Sequence, residues 1–137
     1  MGGGRAMRLL KMLLVLFVCA ATPVSAGPLD DASAAYRKGD YATAVRLWRP
    51  LAEQGNAHAQ YNLGAMYASA RGVPLDLVQA HKWISLAASR LSASENDKRG
   101  EAIKNRDAIA AKMTPAQIAE AQKLARECVA RKYKDCD

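Results

Sequence analysis

The chain has 137 residues, half of them hydrophobic, with 20 Lys and Arg against 13 Asp and Glu for a net charge of +7. That length suits one domain rather than two. The basic residues are too few and too scattered to form a nucleic-acid patch, and three of them belong to the first eleven positions.

Arg5, Arg8 and Lys11 form a basic start, Met12 to Ala21 is an unbroken apolar run of ten residues, and Val24-Ser25-Ala26 places small residues before Gly27. This order predicts a secretory leader cut after Ala26, spanning residues 1–26. Ten apolar residues fall short of the about 20 that a membrane-spanning helix needs. Cys19 opens the alternative of a lipoprotein leader, but Val18 stands where that cut prefers a small residue, and Ala26 is the cleaner site. Without the leader the net charge drops from +7 to +4 and the domain runs over 27–137, in the periplasm or outside the cell.

Beyond the leader, Ala and other helix formers dominate and alternating β-branched runs are missing, which predicts an all-α domain. Punctuation at Lys38-Gly39-Asp40, Gln54-Gly55-Asn56, Arg71-Gly72-Val73-Pro74 and Lys112-Met113-Thr114-Pro115 divides it into helices at about 29–38, 41–54, 57–69, 77–91, 95–112 and 115–131. Asp40, Asn56 and Asp76 are placed to cap the helices that follow them. Gln79 and Gln117 stand three residues after Asp76 and Thr114, the spacing of a capping box, and Pro115 opens its helix where its missing N–H costs least. Ser92 to Gly100 reads as a loop or as the start of a helix.

A shift of 36 lays Asp40 on Asp76, Ala44 on Ala80, Arg46 on Lys82, Leu47 on Trp83 and Ala52 on Ala88. One unit is thus a helix, a Gly-containing turn and a second helix, and a more divergent third pair follows at 95–131. A period in the mid-thirties with two helices predicts a tetratricopeptide-like stack, a short right-handed superhelix of antiparallel helix pairs. Tyr61, Gly64, Ala65 and Ala68 share one helix face, and the near-absent side chains of Gly64 and Ala80 let two backbones approach. Trp83 is expected to fill the gap between neighbouring pairs.

The stretch from Ala57 to Tyr67 resembles the first helix of a Sel-one-like repeat, Gly72-Val73-Pro74-Leu75-Asp76 resembles its turn, and Ala80 to Ala88 resembles its second helix. Residues 31–56 match as a truncated unit, and residues 114–127 resemble a closing helix of exported members. Ala70 departs from the pattern, since the family usually carries a second Gly there; the loop is expected to be tighter or strained at that point. The resemblance implies a helical-repeat fold and a role as protein-interaction adaptor, not one particular reaction.

Cys128 and Cys136 lie eight apart, which is too far for a bridge within one straight helix. Either the helix stops near Ala130 to Lys132 and folds back to close a disulfide, or the thiols stay free or pair between molecules. His58 and His81 have no ligand cluster around them and read as structural rather than metal-binding. No serine sits in a nucleophile elbow and no phosphate-binding glycine loop is present, so neither an enzyme nor a cofactor is expected.

Tyr36, Tyr61, Tyr67, Asn62 and Lys82 are the residues expected to meet a partner, with Gly64, Gly72, Asp76, Ala80 and Trp83 as structural supports. Asn62 would either hydrogen-bond a peptide in the groove or tie down the repeat's own loop. The reading is an exported module that binds a peptide or a partner protein. The alternative is an accessory subunit that docks through basic surface residues such as Arg46, Arg49, Lys82 and Arg90.

Overall fold

A computed structural model describes residues 26–137, so residues 1–25 of the expected leader, Cys19 among them, lie outside the described residues. Among the described residues the regular structure is helical: α1 Pro28–Arg37, α2 Tyr41–Glu53, α3 Ala57–Ser69, α4 Leu77–Arg90, α5 Asn96–Ala110 and α6 Pro115–Ala130, with one 3-10 turn at Ala93–Glu95. No described helix is long and apolar enough to cross a membrane.

The helix starts follow the capping chemistry of the sequence. Asp40 accepts from the Thr43 N–H at 3.2 Å, Asn56 from Ala59 at 2.9 Å and Asp76 from Gln79 at 2.9 Å. Each satisfies a donor that the first helical turn leaves without an intrahelical partner. Thr114 and Gln117 close a full capping box. At Asp76 only half of that device forms, because the Gln79 side-chain oxygen is buried and takes no hydrogen bond. The segment after Ser92 is ordered by a capping box with Glu95, which the sequence left open as loop or helix.

α2 and α3 run antiparallel, as Gln60 donates to the Ala52 carbonyl and Arg49 reaches the Tyr67 hydroxyl. α3 and α4 do so too: the Asp76 N–H bonds the Tyr67 carbonyl, while a side chain on Gly64 would collide with Ile84 at 2.6 Å and the Ala80 carbonyl at 3.0 Å. The close approach read from Gly64 and Ala80 is therefore a contact in which a hydrogen stands where any other residue has a carbon. Fully buried Ala32, Ala44, Ala52, Ala59, Ala80 and Ala87 keep the helices near one another, and Trp48, Leu63, Met66, Trp83 and Ile84 fill the space between them.

The 36-residue repeat holds in its capping and its small residues. Asp40 and Asp76 open equivalent helices, and Ala44 and Ala80 are both fully buried. It fails in its charged pair: Arg46 is exposed, whereas Lys82 is buried. The third pair differs as well. α5 and α6 each pack chiefly on α4 rather than on each other, so α4 is covered by α3, α5 and α6.

The turn before α4 carries the strain expected at Ala70, which adopts the left-handed conformation at φ 53°. Gly72 follows at φ +70°, and a side chain on it would strike the Tyr41 carbonyl oxygen at 2.6 Å. The loop of the second pair thus rests directly on the first turn of α2.

At the far end, α6 stops at Ala130, and Lys132, Tyr133 and Asp135 take positive φ to fold the chain back. This closes a Cys128–Cys136 disulfide with the Cα atoms 5.1 Å apart.

Candidate functional site

The first helices α1 and α3 leave a cleft of about 470 Å³ between them, with the loop after α3 at one end. Tyr36, Arg37, Trp48, Tyr61, Asn62 and Arg71 are among the residues that line it. A second cleft of about 230 Å³ lies between α3 and α5, and Tyr61 and Ala65 belong to both. Tyr61 therefore stands on the ridge between two connected hollows.

Each aromatic group is held from behind. The Tyr36 ring packs tilted against Tyr41 at 5.3 Å and Trp48 at 5.8 Å. Arg71 donates to the Tyr36 hydroxyl at 2.6 Å and lies over the Tyr41 ring at 5.3 Å, so its guanidinium is oriented by stacking as well as by hydrogen bonding. The Tyr61 hydroxyl donates to Glu101 at 3.1 Å and accepts from Asn105, both on α5. Burial, followed by the nearby Glu101 carboxylate, raises the Tyr61 phenol above its ordinary value, so it stays a neutral donor.

Two features of the cleft are unspent. Trp48 is 3% exposed, and its indole N–H is buried with no acceptor among the described residues. An unpaired buried donor costs about 1–3 kcal/mol, and such groups are uncommon in folded proteins. Arg37 is exposed and makes no ion pair among the described residues, and no acidic side chain lines this cleft.

Of the residues the sequence nominated, Tyr36, Tyr61 and Asn62 come together here. Asn62 makes no side-chain hydrogen bond among the described residues, which favours the groove-facing alternative over a tie to its own loop. Tyr67 and Lys82 are placed elsewhere. Tyr67 is 9% exposed in the core, where its hydroxyl takes a hydrogen bond from Arg49 at 3.2 Å.

Lys82 is fully buried; its amine donates to the Cys136 carbonyl, lies 4.5 Å from the Trp83 ring and 3.7 Å from an Asp137 oxygen. Burial lowers its amine to about 8. The expected surface lysine is thus an interior one, because the disulfide-tethered tail folds over it. Arg49 pairs with the same Asp137 carboxylate, and the Trp83 indole N–H donates to it at 3.0 Å. Arg90 donates to the Gly55 carbonyl at 2.6 Å and to the Tyr133 hydroxyl at 3.0 Å. Of the four basic residues named for surface docking, only Arg46 has no such internal partner.

The sequence did not single out Arg37 or Arg71 for a site, and Trp48 stood only among the repeat aromatics Tyr36, Tyr41, Trp48, Tyr61, Tyr67 and Trp83, most of them expected in the core. Arg37 ends α1 and Arg71 precedes the Gly turn, positions flanking the same first-helix face, and that shared edge was the available signal.

The histidines sit apart from this cleft. His58 meets Glu95 at 2.9 Å. His81 faces a hollow of about 490 Å³ between α4, α5 and α6, near Ser85 at 3.4 Å. Burial, then the positive charge of Arg106, lowers the His81 imidazole. Asp107, on the same hollow, is held by Arg106 at 2.7 Å and makes no hydrogen bond to His81. Among the described residues no group of three or more His, Cys, Asp or Glu side chains is arranged to hold a metal ion.

Neither a family model, nor a curated protein, nor a solved structure matches the chain.

Proposed function

We propose that the protein is an exported interaction module that holds an extended segment of a partner polypeptide along the face made by α1, α3 and α5. The observation that carries this reading is the pair of adjoining clefts that share Tyr61, with the Asn62 side chain beside it making no hydrogen bond among the described residues. Aromatic rings fixed from behind give contact area with little ordering cost, and a free carboxamide can pair with a peptide backbone. On this reading the helix pairs are Sel-one-like units in a short right-handed superhelix, its leader directing export, and the first helices of successive units form the concave side.

A peptide library panned on the immobilised protein tests it. Selected peptides are expected to shift the Asn62 side-chain and Tyr61 signals in NMR spectra, and Asn62→Ala should weaken them about tenfold, the loss of one or two buried hydrogen bonds. Binders that leave both signals unmoved and map to the outer face of α6 would sink the proposal.

A further inference from the structure

We infer that the segment held in the α1–α3 cleft is acidic, carrying Asp or Glu side chains that meet Arg37 and Arg71 while a carboxylate or carbonyl oxygen takes the Trp48 indole N–H. The inference rests on the groove reading above and adds the chemistry of the ligand.

Three observations point the same way. Arg37 from the end of α1 and Arg71 from the loop after α3 both line the cleft, and no acidic residue does. Arg71 is already oriented through Tyr36 and Tyr41, with only one of its donors used. A planar guanidinium of this kind suits paired hydrogen bonds to a carboxylate. Among the described residues the Trp48 indole is a donor with no acceptor, and it belongs to the same lining. As the described residues form it, the cleft offers donors and positive charge and no acidic side chain.

The cation series also extends beyond one point. Lys112, exposed, lines the adjoining α3–α5 cleft, and Glu101, which accepts a hydrogen bond from the Tyr61 hydroxyl, does not line it. Cations on three separate elements call for several carboxylates spaced along a chain. Acidic side chains supply these, and a lone chain terminus does not. The hollow between α4, α5 and α6 differs in holding an acidic side chain: Arg106 is paired there with Asp107, although Arg126 also lines it.

The test uses an N-acetylated, C-amidated peptide, Glu-Leu-Glu-Tyr-Glu-Leu, its Gln counterpart, the Gln peptide with a free C-terminus, and a polyphosphate of matched charge. Binding is read from the indole N–H signals of Trp48 and Trp83 and from the Asn62 side chain. The acidic peptide is expected to move Trp48 and Asn62 and to leave Trp83 in place, and to weaken as salt is raised. Arg37→Gln, which breaks no side-chain hydrogen bond or ion pair among the described residues, should weaken it about threefold to fivefold, the upper range of an exposed charge pair, and Arg37→Lys should restore most of that. Equal binding by the amidated Gln peptide, with the same shifts, would overturn the acidic assignment and leave the groove reading standing. Equal binding by the free-terminus peptide would transfer the carboxylate from side chain to chain end, and equal binding by polyphosphate would overturn the polypeptide. No shift at Trp48 or Asn62 with any probe would overturn the inference and the groove reading together.

Discussion

Lys82 is the residue whose surroundings its neighbours in sequence conceal most. A lysine in the middle of an amphipathic helix reads as surface, and its repeat-mate Arg46 is indeed exposed. What buries Lys82 is the chain fifty residues on, which returns to place the Cys136 carbonyl and the Asp137 carboxylate against it. Its amine is lowered to about 8 by burial, from an ordinary 10.5. Between those values the unfolded chain holds the proton that the folded chain has given up, so stability attributable to this group rises with pH across about 8 to 10.5 and its cost is fully present below 8. Denaturant titrations of Lys82→Met should lack this rise, which amounts to roughly 1–3 kcal/mol in the unaltered chain. An equal rise in both proteins would show that the slope belongs to other groups.

Ala70 is the opposite case, since its oddity was readable. A position where relatives of the resembled repeat use Gly holds Ala, and Ala70 takes φ 53°. Left-handed backbone costs a residue with a side chain about 1–2 kcal/mol, partly offset by the greater freedom Gly has when unfolded. Ala70→Gly should therefore raise stability by about 0.5–1 kcal/mol, measured as a higher thermal midpoint with binding unchanged.

At the scale of elements, the helix starts were the most legible part of the molecule because their cause is local. Asp40, Asn56, Asp76 and Thr114 each cap within three residues, and nothing distant is needed to place them. The failure of Gln79 to complete its box has a local reading only in part, since its oxygen is buried without a partner. The docking of α5 and α6 on α4 was not legible: both carry helical patterns, but which neighbour each covers depends on tertiary geometry that no spacing records. The disulfide sat between these extremes. Its spacing required a reversal after about Ala130, and the structure has one, built from residues at positive φ that are not glycines. Replacing both cysteines by serine should cost about 2.5 kcal/mol, the value for closing a loop of this length. The tail would then release Asp137, so the Trp83 indole should lose its hydrogen bond and its fluorescence should shift red. An unchanged emission spectrum would mean that Arg49 and Lys82 hold the tail without the covalent link.

At the scale of the whole molecule, the α1–α3 cleft gathers Tyr36, Trp48 and Tyr61, while the C-terminal tail ties Arg49, Lys82 and Arg90 into internal contacts. Tyr36, Tyr61 and Asn62 line one cleft, in keeping with their place on the first helices of the pairs. Tyr67 shares that place, yet it points inward to Arg49, since a helix has more than one face and period alone does not choose between them. The basic docking set is altered for a related reason: Lys82 is withdrawn into the interior, while Arg49 and Arg90 reach the Asp137 carboxylate and the Gly55 carbonyl that the fold brings near them.

Gly72 governs the mouth of the cleft although it lines none of it. Its missing side chain lets the loop settle onto the Tyr41 carbonyl, and the neighbouring Arg71 is thereby delivered over two tyrosine rings. The delivery of Arg71 to the cavity's end is therefore set by a main-chain joint between successive pairs. A single methyl at this joint would push that guanidinium out of place while leaving the identity of every lining residue unchanged.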